Sequence, residues 1–319
     1  MQIYESWSSA DSLLEETCAA ERCAGLVLGG GGGKGGAHLG ALAAIESVGM
    51  PIDLIVGSSI GGVVGTLYAA GYSVDEIGAA FGAATPWKLF ERDPLGMGLL
   101  GARRIRALLE EMLGDCTFEQ LAIRCAVVAT DLVTGREVVL DRGPIVEALL
   151  ATMAFPGIFP PVQCDGMLLA DGGIVNNLPV DVAYALGADK VVAVDLGYVC
   201  QDFSPAPASG GGALGWLNPL PSLPLTLANR GLAVMMARLT RYRLAERPPD
   251  LLLCPEVEQV STLDLSRIND EACRAAGERV ARDALADLLA LRDWRCDEPP
   301  SELPGRAVAQ QSQNLVALG

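Results

Sequence analysis

Residues 25–42, GLVLGGGGGKGGAHLGAL, run from a short apolar segment through five consecutive glycines into a lysine and a helical pattern. A strand, a glycine turn and a helix in this order are typical of α/β folds that hold a negative charge at the helix N-terminus. The next segment repeats the order, since IDLIV at 52–56 precedes GSSIG at 57–61 and a helical pattern up to about residue 70. Together the two units predict a parallel sheet covered by helices on both faces.

The alternation of strands and helices continues along most of the chain. Helical patterns occupy about 74–83, 103–113, 145–153, 180–186, 225–245 and 269–292, and strand patterns occupy 125–132, 136–142, 167–170, 190–196 and 250–257. The segments at 125–132 and 136–142 predict a hairpin. We therefore predict one α/β domain over residues 22–293, with an N-terminal extension at 1–21, a lid or variable region at 200–245, and a polar, mobile tail at 294–319.

Charge and composition exclude several classes of protein. The 319 residues include 23 Lys and Arg against 39 Asp and Glu, which gives a net charge of −16. This charge excludes nucleic-acid binding and makes electrostatic attraction to anionic membranes an unsuitable main binding mode, so that any membrane contact would be hydrophobic and local. Nine scattered cysteines without a CxxC pair, and an N-terminus without a basic and apolar leader, predict a cytoplasmic protein with reduced thiols. One histidine and unclustered thiols predict no metal site.

The glycine turn does not match a nucleotide-binding loop. A P-loop requires Gly-x-x-x-x-Gly-Lys followed by Ser or Thr, but counting from Lys34 puts a leucine at the first glycine and Gly35 at the hydroxyl position. A dinucleotide fingerprint needs an acidic residue at the end of the second strand. Gly30, Gly32 and Gly35 supply its glycine pattern GxGxxG, whereas Asp53 lies at the start of the second strand and not at its end. Nucleotide binding is therefore the least favoured alternative.

The stretch GSSIG fits the pattern G-x-S-x-G with Ser59 at its centre. In a strand–turn–helix context, Gly57 and Gly61 let the chain turn sharply and expose the serine hydroxyl at the sheet edge. The helix N-terminus favours negative charge near that oxygen. We predict that Ser59 is a nucleophile.

A nucleophilic serine needs a base, and the single histidine is badly placed for that role. His38 precedes the serine and lies in the first predicted helix, which excludes the α/β-hydrolase order of serine, acid and histidine. We expect His38 to be structural and to form a hydrogen bond near the glycine turn. The base would then be a carboxylate.

Asp131, Asp171 and Asp195 each end a strand pattern. Asp171 is followed at once by two glycines, which allow another backbone to approach closely. Spacing alone leaves open whether Asp171 is a base or only caps a turn. Asp131 is expected to organise its own turn with Thr134, and Asp195 to pair with nearby backbone. With a serine and a carboxylate assigned, the glycine turn could supply N–H donors to an oxyanion.

Taken together, the motifs resemble those of the patatin-like phospholipase family, over about residues 24–197. The resemblance rests on the glycine-rich stretch at 29–35 followed by GAHLG, on GSSIG at 57–61, on Asp-Gly-Gly at 171–173, on ATDLVTG at 129–135 and on FPGIFPPV at 155–162. It implies a three-layer α/β/α fold with a mainly parallel central sheet, and an acyl hydrolase that needs neither metal nor cofactor.

Residue roles follow from the same resemblance. Ser59 would be the nucleophile and Asp171 its base, and the oxyanion hole would be formed by N–H groups of Gly30, Gly31, Gly32 and Gly33. Further motif residues would support the site: Lys34, Gly35, Gly57, Gly61, Gly172 and Gly173. The family usually has arginine at the position of Lys34, so the planar fork of the guanidinium is missing here.

The expected activity is that of a serine lipid acyl hydrolase, a carboxylic ester hydrolase of the phospholipase A, lysophospholipase or esterase type. Thioesters stay open as substrates, and the predicted lid leaves a transient contact with the membrane surface open. The main alternative is a regulatory or scaffold protein that keeps the fold without catalysis. Sequence makes no prediction of the oligomeric state.

Overall fold

The computed structural model describes residues 22–83, 91, 93–197, 222–257, 260 and 270–296. The predicted N-terminal extension, residues 200–221 of the predicted lid and residues 297–319 of the predicted tail lie outside the described residues. Eight strands form one sheet: β1 (Ala24–Leu28), β2 (Leu54–Ser58), β3 (Arg124–Asp131), β4 (Glu137–Leu140), β5 (Val162–Cys164), β6 (Met167–Asp171), β7 (Lys190–Val194) and β8 (Leu251–Leu253).

Helices cover both faces of this sheet. They are α1 (Gly36–Ser47), α2 (Ile60–Ala69), α3 (Val74–Ala83), α4 (Arg103–Leu113), α5 (Ile145–Thr152), α6 (Val180–Ala185), α7 (Ser222–Glu246), α8 (Glu271–Asp283) and α9 (Leu285–Cys296), with short 3-10 turns at Gly32–Lys34, Phe118–Gln120 and Gly172–Ile174. None of the described helices combines the length and the apolar character that a membrane span requires.

Five strands form a parallel core in the order β3-β2-β1-β7-β8. Alternate residues of each strand enter different cores: Leu26 and Ile55 pack on one face of the sheet, and Val27 and Val56 pack on the other. This burial on both faces explains the continuous apolar runs in the sequence. The predicted three-layer α/β/α fold is thereby confirmed.

Strands β4, β5 and β6 are antiparallel additions at the β3 side of the sheet. The predicted hairpin of β3 and β4 is present, with Val127 opposite Leu140 and Thr130 opposite Glu137. Strand β5 was not predicted, because three residues after a proline pair carry too little pattern to be recognised. Its partner β6 was predicted, but not its antiparallel direction.

The C-terminal helical segment is two helices that meet at Ala284. Helix α9 continues through Cys296, three residues into the predicted tail. The side chain of Arg295 in this extension pairs with Asp53 at 2.8 Å, and Asp53 in turn accepts a hydrogen bond from the Ala24 amide. The end of α9 is therefore joined to the start of the glycine-turn strand.

Candidate active site

The pairing pattern of β3 brings two strand ends together. Strands β2 and β4 both pair with Val127 and Val128, so they lie on opposite edges of β3. Strands β4 and β6 both pair with Ala129 and Thr130, so β6 lies on the same edge as β2. Since β2 is parallel and β6 antiparallel to β3, their carboxyl ends face each other. Asp171, the last residue of β6, therefore meets the turn that follows β2.

Ser59 occupies that turn in a strained backbone conformation, with φ of 53° and ψ of −127°. A non-glycine residue in this region costs on the order of 1–3 kcal/mol, which surrounding contacts must offset. The Ser59 amide donates to Thr152 Oγ1 at 2.9 Å, and the Thr152 hydroxyl donates to the Val128 carbonyl at 2.6 Å. A Cβ atom at Gly61 would overlap the Leu28 carbonyl. These contacts hold the sharp strand–helix turn predicted for this motif.

The hydroxyl of Ser59 donates to Asp171 Oδ2 at 2.7 Å. The other carboxylate oxygen, Oδ1, accepts a hydrogen bond of 2.8 Å from the Gly173 amide, so both oxygens have a fixed orientation. Asp171 is buried, and this burial raises its pKa to about 6, against the opposing effect of the two hydrogen bonds. The structure therefore brings the predicted nucleophile and the predicted base into direct contact, with a carboxylate that is more basic than usual.

The glycine turn lies against this pair. A Cβ atom at Gly30 would lie 3.2 Å from Ser59 Cβ. The Gly30 amide donates to the Asn177 carbonyl at 3.0 Å, so one of the four predicted oxyanion donors is already engaged. The amides of Gly31, Gly32 and Gly33 have no acceptor among the described residues. Among the described residues, these three N–H groups of the turn are therefore the ones not engaged in a hydrogen bond.

Asn177 joins the glycine turn to the aspartate turn, and sequence reasoning missed it. Besides its carbonyl contact, its side-chain amide donates to the Gly30 carbonyl at 3.2 Å. Its Oδ1 atom occupies the space that a Cβ atom would take at Gly30 and at Gly173. One buried asparagine therefore contacts both turns that flank Ser59. Thr152 was missed for the same reason, because neither residue belongs to a local motif.

His38 is buried beside the first glycine, where its Nε2 donates to the Gly29 carbonyl at 2.7 Å. Burial lowers the pKa of His38 to about 4, so the ring is neutral at physiological pH. Its Nδ1 atom is buried without a partner among the described residues. The position of His38 agrees with the structural role expected from the sequence. The hydroxyl of Ser59 donates its hydrogen bond to the carboxylate of Asp171 and not to this histidine.

Lys34 is buried, and its ammonium group contacts the loop that follows β7. Its Nζ donates to the Leu196 carbonyl at 3.3 Å. Burial raises the pKa of the neighbouring Asp195 carboxyl, although the positive charges of Lys34 and Arg241 act to lower it. Asp195 also accepts a hydrogen bond of 2.6 Å from the Gly197 amide, as expected. Lys34 therefore ties the glycine turn to the end of β7.

The remaining candidates have structural positions. Asp131 accepts a hydrogen bond of 2.7 Å from the Thr134 hydroxyl and organises the turn between β3 and β4, as expected. A Cβ atom at Gly172 would overlap the Val128 carbonyl, which explains the glycine after Asp171. Within the described ranges, no group of three or more His, Cys, Asp or Glu residues could hold a metal ion. The chemistry that this geometry can perform is transfer of an acyl group to a serine, with a carboxylate as base and backbone amides as anion donors.

Comparison with known proteins gives a consistent result. The family described as Patatin-like phospholipase matches residues 26–184. An uncharacterised NTE family protein of Mycobacterium tuberculosis is 39% identical over 174 residues, 54% of this chain and 48% of that protein. Lysophospholipase NTE1 of Debaryomyces hansenii is 31% identical over 267 residues, 77% of this chain and 17% of that protein. Neuropathy target esterase sws of Drosophila melanogaster is 34% identical over 201 residues, 60% of this chain and 14% of that protein. The chain thus spans less than half the length of each of these relatives.

Proposed function

Since this chain belongs to the patatin-like phospholipase family, we propose that it is a serine lipid acyl hydrolase that uses Ser59 as nucleophile and Asp171 as base. The observation that carries the proposal is the 2.7 Å hydrogen bond from the hydroxyl of Ser59, on a strained strand–helix turn, to a buried carboxylate. A turn-capping aspartate would need only its contact with the Gly173 amide. The second oxygen, directed at the serine, supports the catalytic role.

In the first half of the reaction Asp171 accepts the proton of Ser59 as the serine oxygen bonds to the carbonyl carbon of an acyl ester. The negative charge that develops on the carbonyl oxygen is stabilised by amides of Gly31, Gly32 and Gly33, each worth roughly 3–4 kcal/mol in such a site. Asp171 then returns the proton to the departing alcohol oxygen, and an acyl-enzyme is left on Ser59. In the second half Asp171 accepts a proton from the water that attacks the acyl carbonyl, and returns it to the oxygen of Ser59 as the ester bond breaks, which releases the fatty acid and restores the enzyme.

The raised pKa of Asp171 suits this role. A carboxylate at its ordinary pKa is a weak base for a serine proton, and burial that raises the pKa to about 6 brings it closer to the operating pH. The group is still ionised at neutral pH. Asp171 can therefore act without a histidine, which agrees with the neutral, buried state of His38.

Relatives named lysophospholipase and neuropathy target esterase support a lipid ester as the substrate class. A non-catalytic scaffold is the second candidate, and nothing in the described site favours it, because the serine, the carboxylate and the free turn amides are all present. Nucleotide binding is disfavoured, since Gly30 of the turn lies against Ser59.

The test is covalent labelling with a fluorophosphonate probe, which reacts with activated serines, followed by hydrolysis of a panel of phospholipids, lysophospholipids and acyl esters. We expect the wild type to be labelled at Ser59 and to release fatty acid from at least one lipid. Ser59→Ala should do neither. Thr66→Ala is the matched control, because it removes another buried hydroxyl, which lies 3.5 Å from Cys125 Sγ and not in the site. Equal labelling of wild type and Ser59→Ala would contradict the proposal.

A further inference from the structure

Helix α7 exposes large apolar side chains along one side. Leu227, Met235, Leu239 and Tyr242 are 47%, 69%, 37% and 71% exposed. At 3.6 residues per turn these four positions fall within an arc of about 120°. We call these four residues the α7 stripe. Single exposed apolar residues are ordinary, but four on one face of one helix indicate a surface that contacts an apolar partner.

The charge of this helix is opposite to that of the whole protein. Residues 222–247 contain five arginines and one glutamate, although the chain has a net charge of −16. Arg243 is used internally, since it pairs with Asp181 at 2.6 Å and with Glu137 at 3.1 Å. Arg238 and Arg241 are exposed. At 100° per residue, Arg238 lies on the same face as the α7 stripe and Arg241 lies about 40° outside it. An apolar face with two arginines on and beside it matches a lipid surface with anionic headgroups, because the acyl region takes the apolar side chains and the headgroups take the guanidinium groups.

Another side of α7, about 120° around the helix from the centre of the stripe, packs against the candidate active site. The methyl group of Met236 fills the space beside Gly173, where a Cβ atom would lie 2.6 Å from it. Gly173 donates the hydrogen bond that orients Asp171. A surface bound by the α7 stripe would therefore lie about one helix diameter, roughly 10 Å, from the turn that holds the base.

We propose that the α7 stripe docks this protein on a bilayer surface that contains anionic lipid. Apolar insertion supplies most of the binding, and Arg238 and Arg241 add a local attraction that the remaining acidic surface does not provide. The proposal rests on the proposed function in one respect, because docking would place the site next to its lipid substrate. A second copy of the chain fits less well, since a two-fold contact of the stripe would bring arginines against arginines.

The experiment measures sedimentation of the full chain with sucrose-loaded vesicles of phosphatidylcholine, alone or mixed with phosphatidylglycerol. Ser59→Ala serves as the parent so that the vesicles stay intact. The mixed vesicles should bind the parent more tightly than pure phosphatidylcholine. Met235→Glu combined with Tyr242→Glu should weaken binding at least about tenfold, because two inserted side chains become charged. Arg238→Glu should reduce the preference for phosphatidylglycerol.

The matched control is Leu252→Glu with Leu285→Glu, the same number of charges at exposed leucines outside α7. It should bind like the parent. No binding by the parent, or equal loss in both double variants, overturns the proposal, and equal binding to both vesicle types overturns its anionic part. If the α7 variant instead changes the oligomeric state, a second copy covers the stripe. If the α7 double variant lowers the melting temperature well below that of the control, another part of this chain covers the stripe in the folded protein. Either of these two results also overturns the proposal.

Catalysis is measured separately, on the same variants with Ser59 restored. Hydrolysis of a soluble short-chain ester should be unchanged, whereas hydrolysis of vesicle lipid should fall with binding. A wild type that binds vesicles but hydrolyses no ester would contradict the proposed function and leave docking intact. A wild type that hydrolyses a soluble ester but does not bind vesicles would contradict docking and leave the proposed function intact.

Discussion

At the scale of single residues, the proposed mechanism makes the reactivity of Ser59 depend on the ionisation of the Asp171 carboxyl. In the proposed mechanism Asp171 must be ionised to accept the proton of Ser59, and burial raises its pKa to about 6, so kcat/KM should rise with pH through about 6 and then level off. An unperturbed aspartate would place this rise about two pH units lower. The measurement is the pH dependence of kcat/KM for a soluble ester.

Two variants determine which residue is responsible for that pH profile. Asp171→Asn should lose nearly all activity at every pH. His38→Gln should keep substantial activity and the same midpoint, since a glutamine amide can still donate to the Gly29 carbonyl that the histidine ring contacts. Loss of the midpoint in His38→Gln, with activity preserved in Asp171→Asn, would make the histidine the base.

Asn177 should act as a positioning residue. Asn177→Ala removes the amide that donates to the Gly30 carbonyl and empties the space between the two turns. We expect kcat to fall about 10- to 100-fold with little change in KM, because displaced amides stabilise the oxyanion less well while ground-state binding is kept. Asn176→Ala is the control, since its amide donates at 2.8 Å to Asp181 and not to the glycine turn. An equal loss in both variants would indicate a general effect on folding.

Candidate site residues could be identified from the sequence only where a local motif contains them. Ser59 and Asp171 lie in short patterns whose glycines indicate, from the sequence alone, that the backbone turns sharply there. Asn177 and Thr152 act through contacts with residues 147 and 93 positions away, which no local pattern encodes. Similarly, the hydrogen bond that occupies the Gly30 amide depends on where the chain returns after β6.

At the scale of elements, the direction of β6 was a part of the fold that the sequence left undetermined. The parallel core was predicted, because strands buried on both faces are continuous apolar runs. Strand β6 has the same kind of run but pairs antiparallel to β3. Had β6 been parallel like β2, the carboxyl ends of the two strands could not face each other along one edge of β3. The contact between Ser59 and Asp171 depends on this reversal.

The crossing of α1 and α8 gives a prediction at this scale. A Cβ atom at Gly277 would overlap the Ala37 carbonyl, and one at Gly40 would overlap the Arg274 carbonyl, so the two helices touch through their backbones. Gly277→Ala should therefore force the helices apart and lower the free energy of unfolding by about 1–3 kcal/mol, as overpacked sites do. Urea unfolding provides the measurement.

Gly231→Ala is the control for that experiment. This glycine lies within α7, where an added Cβ atom meets nothing within 4 Å. Alanine there should stabilise the protein by up to about 1 kcal/mol, because glycine is the weaker helix former. If both substitutions stabilise, the close crossing of α1 and α8 is incorrect.

At the scale of the whole molecule, two buried ionisable groups act on stability in opposite directions over the same pH range. The pKa of Asp171 is raised from 3.8 to about 6, so the folded state binds the proton more tightly than the unfolded state does. Its contribution to stability is present below pH 3.8 and is lost as the pH rises to about 6. The pKa of His38 is lowered from 6.5 to about 4, so its contribution is present above 6.5 and is lost as the pH falls to about 4.

The opposed effects largely cancel in the wild type, and removing either group should reveal the other. Each shift corresponds to about 3 kcal/mol at full extent. Relative to wild type, Asp171→Asn should gain stability as the pH rises from about 4 to 6 and stay more stable above 6, because it no longer buries a charge.

In the same comparison His38→Gln should gain stability as the pH falls from about 6.5 to 4, because it has no imidazole to protonate. Urea midpoints across this range measure both trends, and parallel curves for all three proteins would show that neither group titrates differently in the folded state. The more stable Asp171→Asn protein would also be the inactive one, as expected when a buried charge is kept for catalysis at a cost in stability.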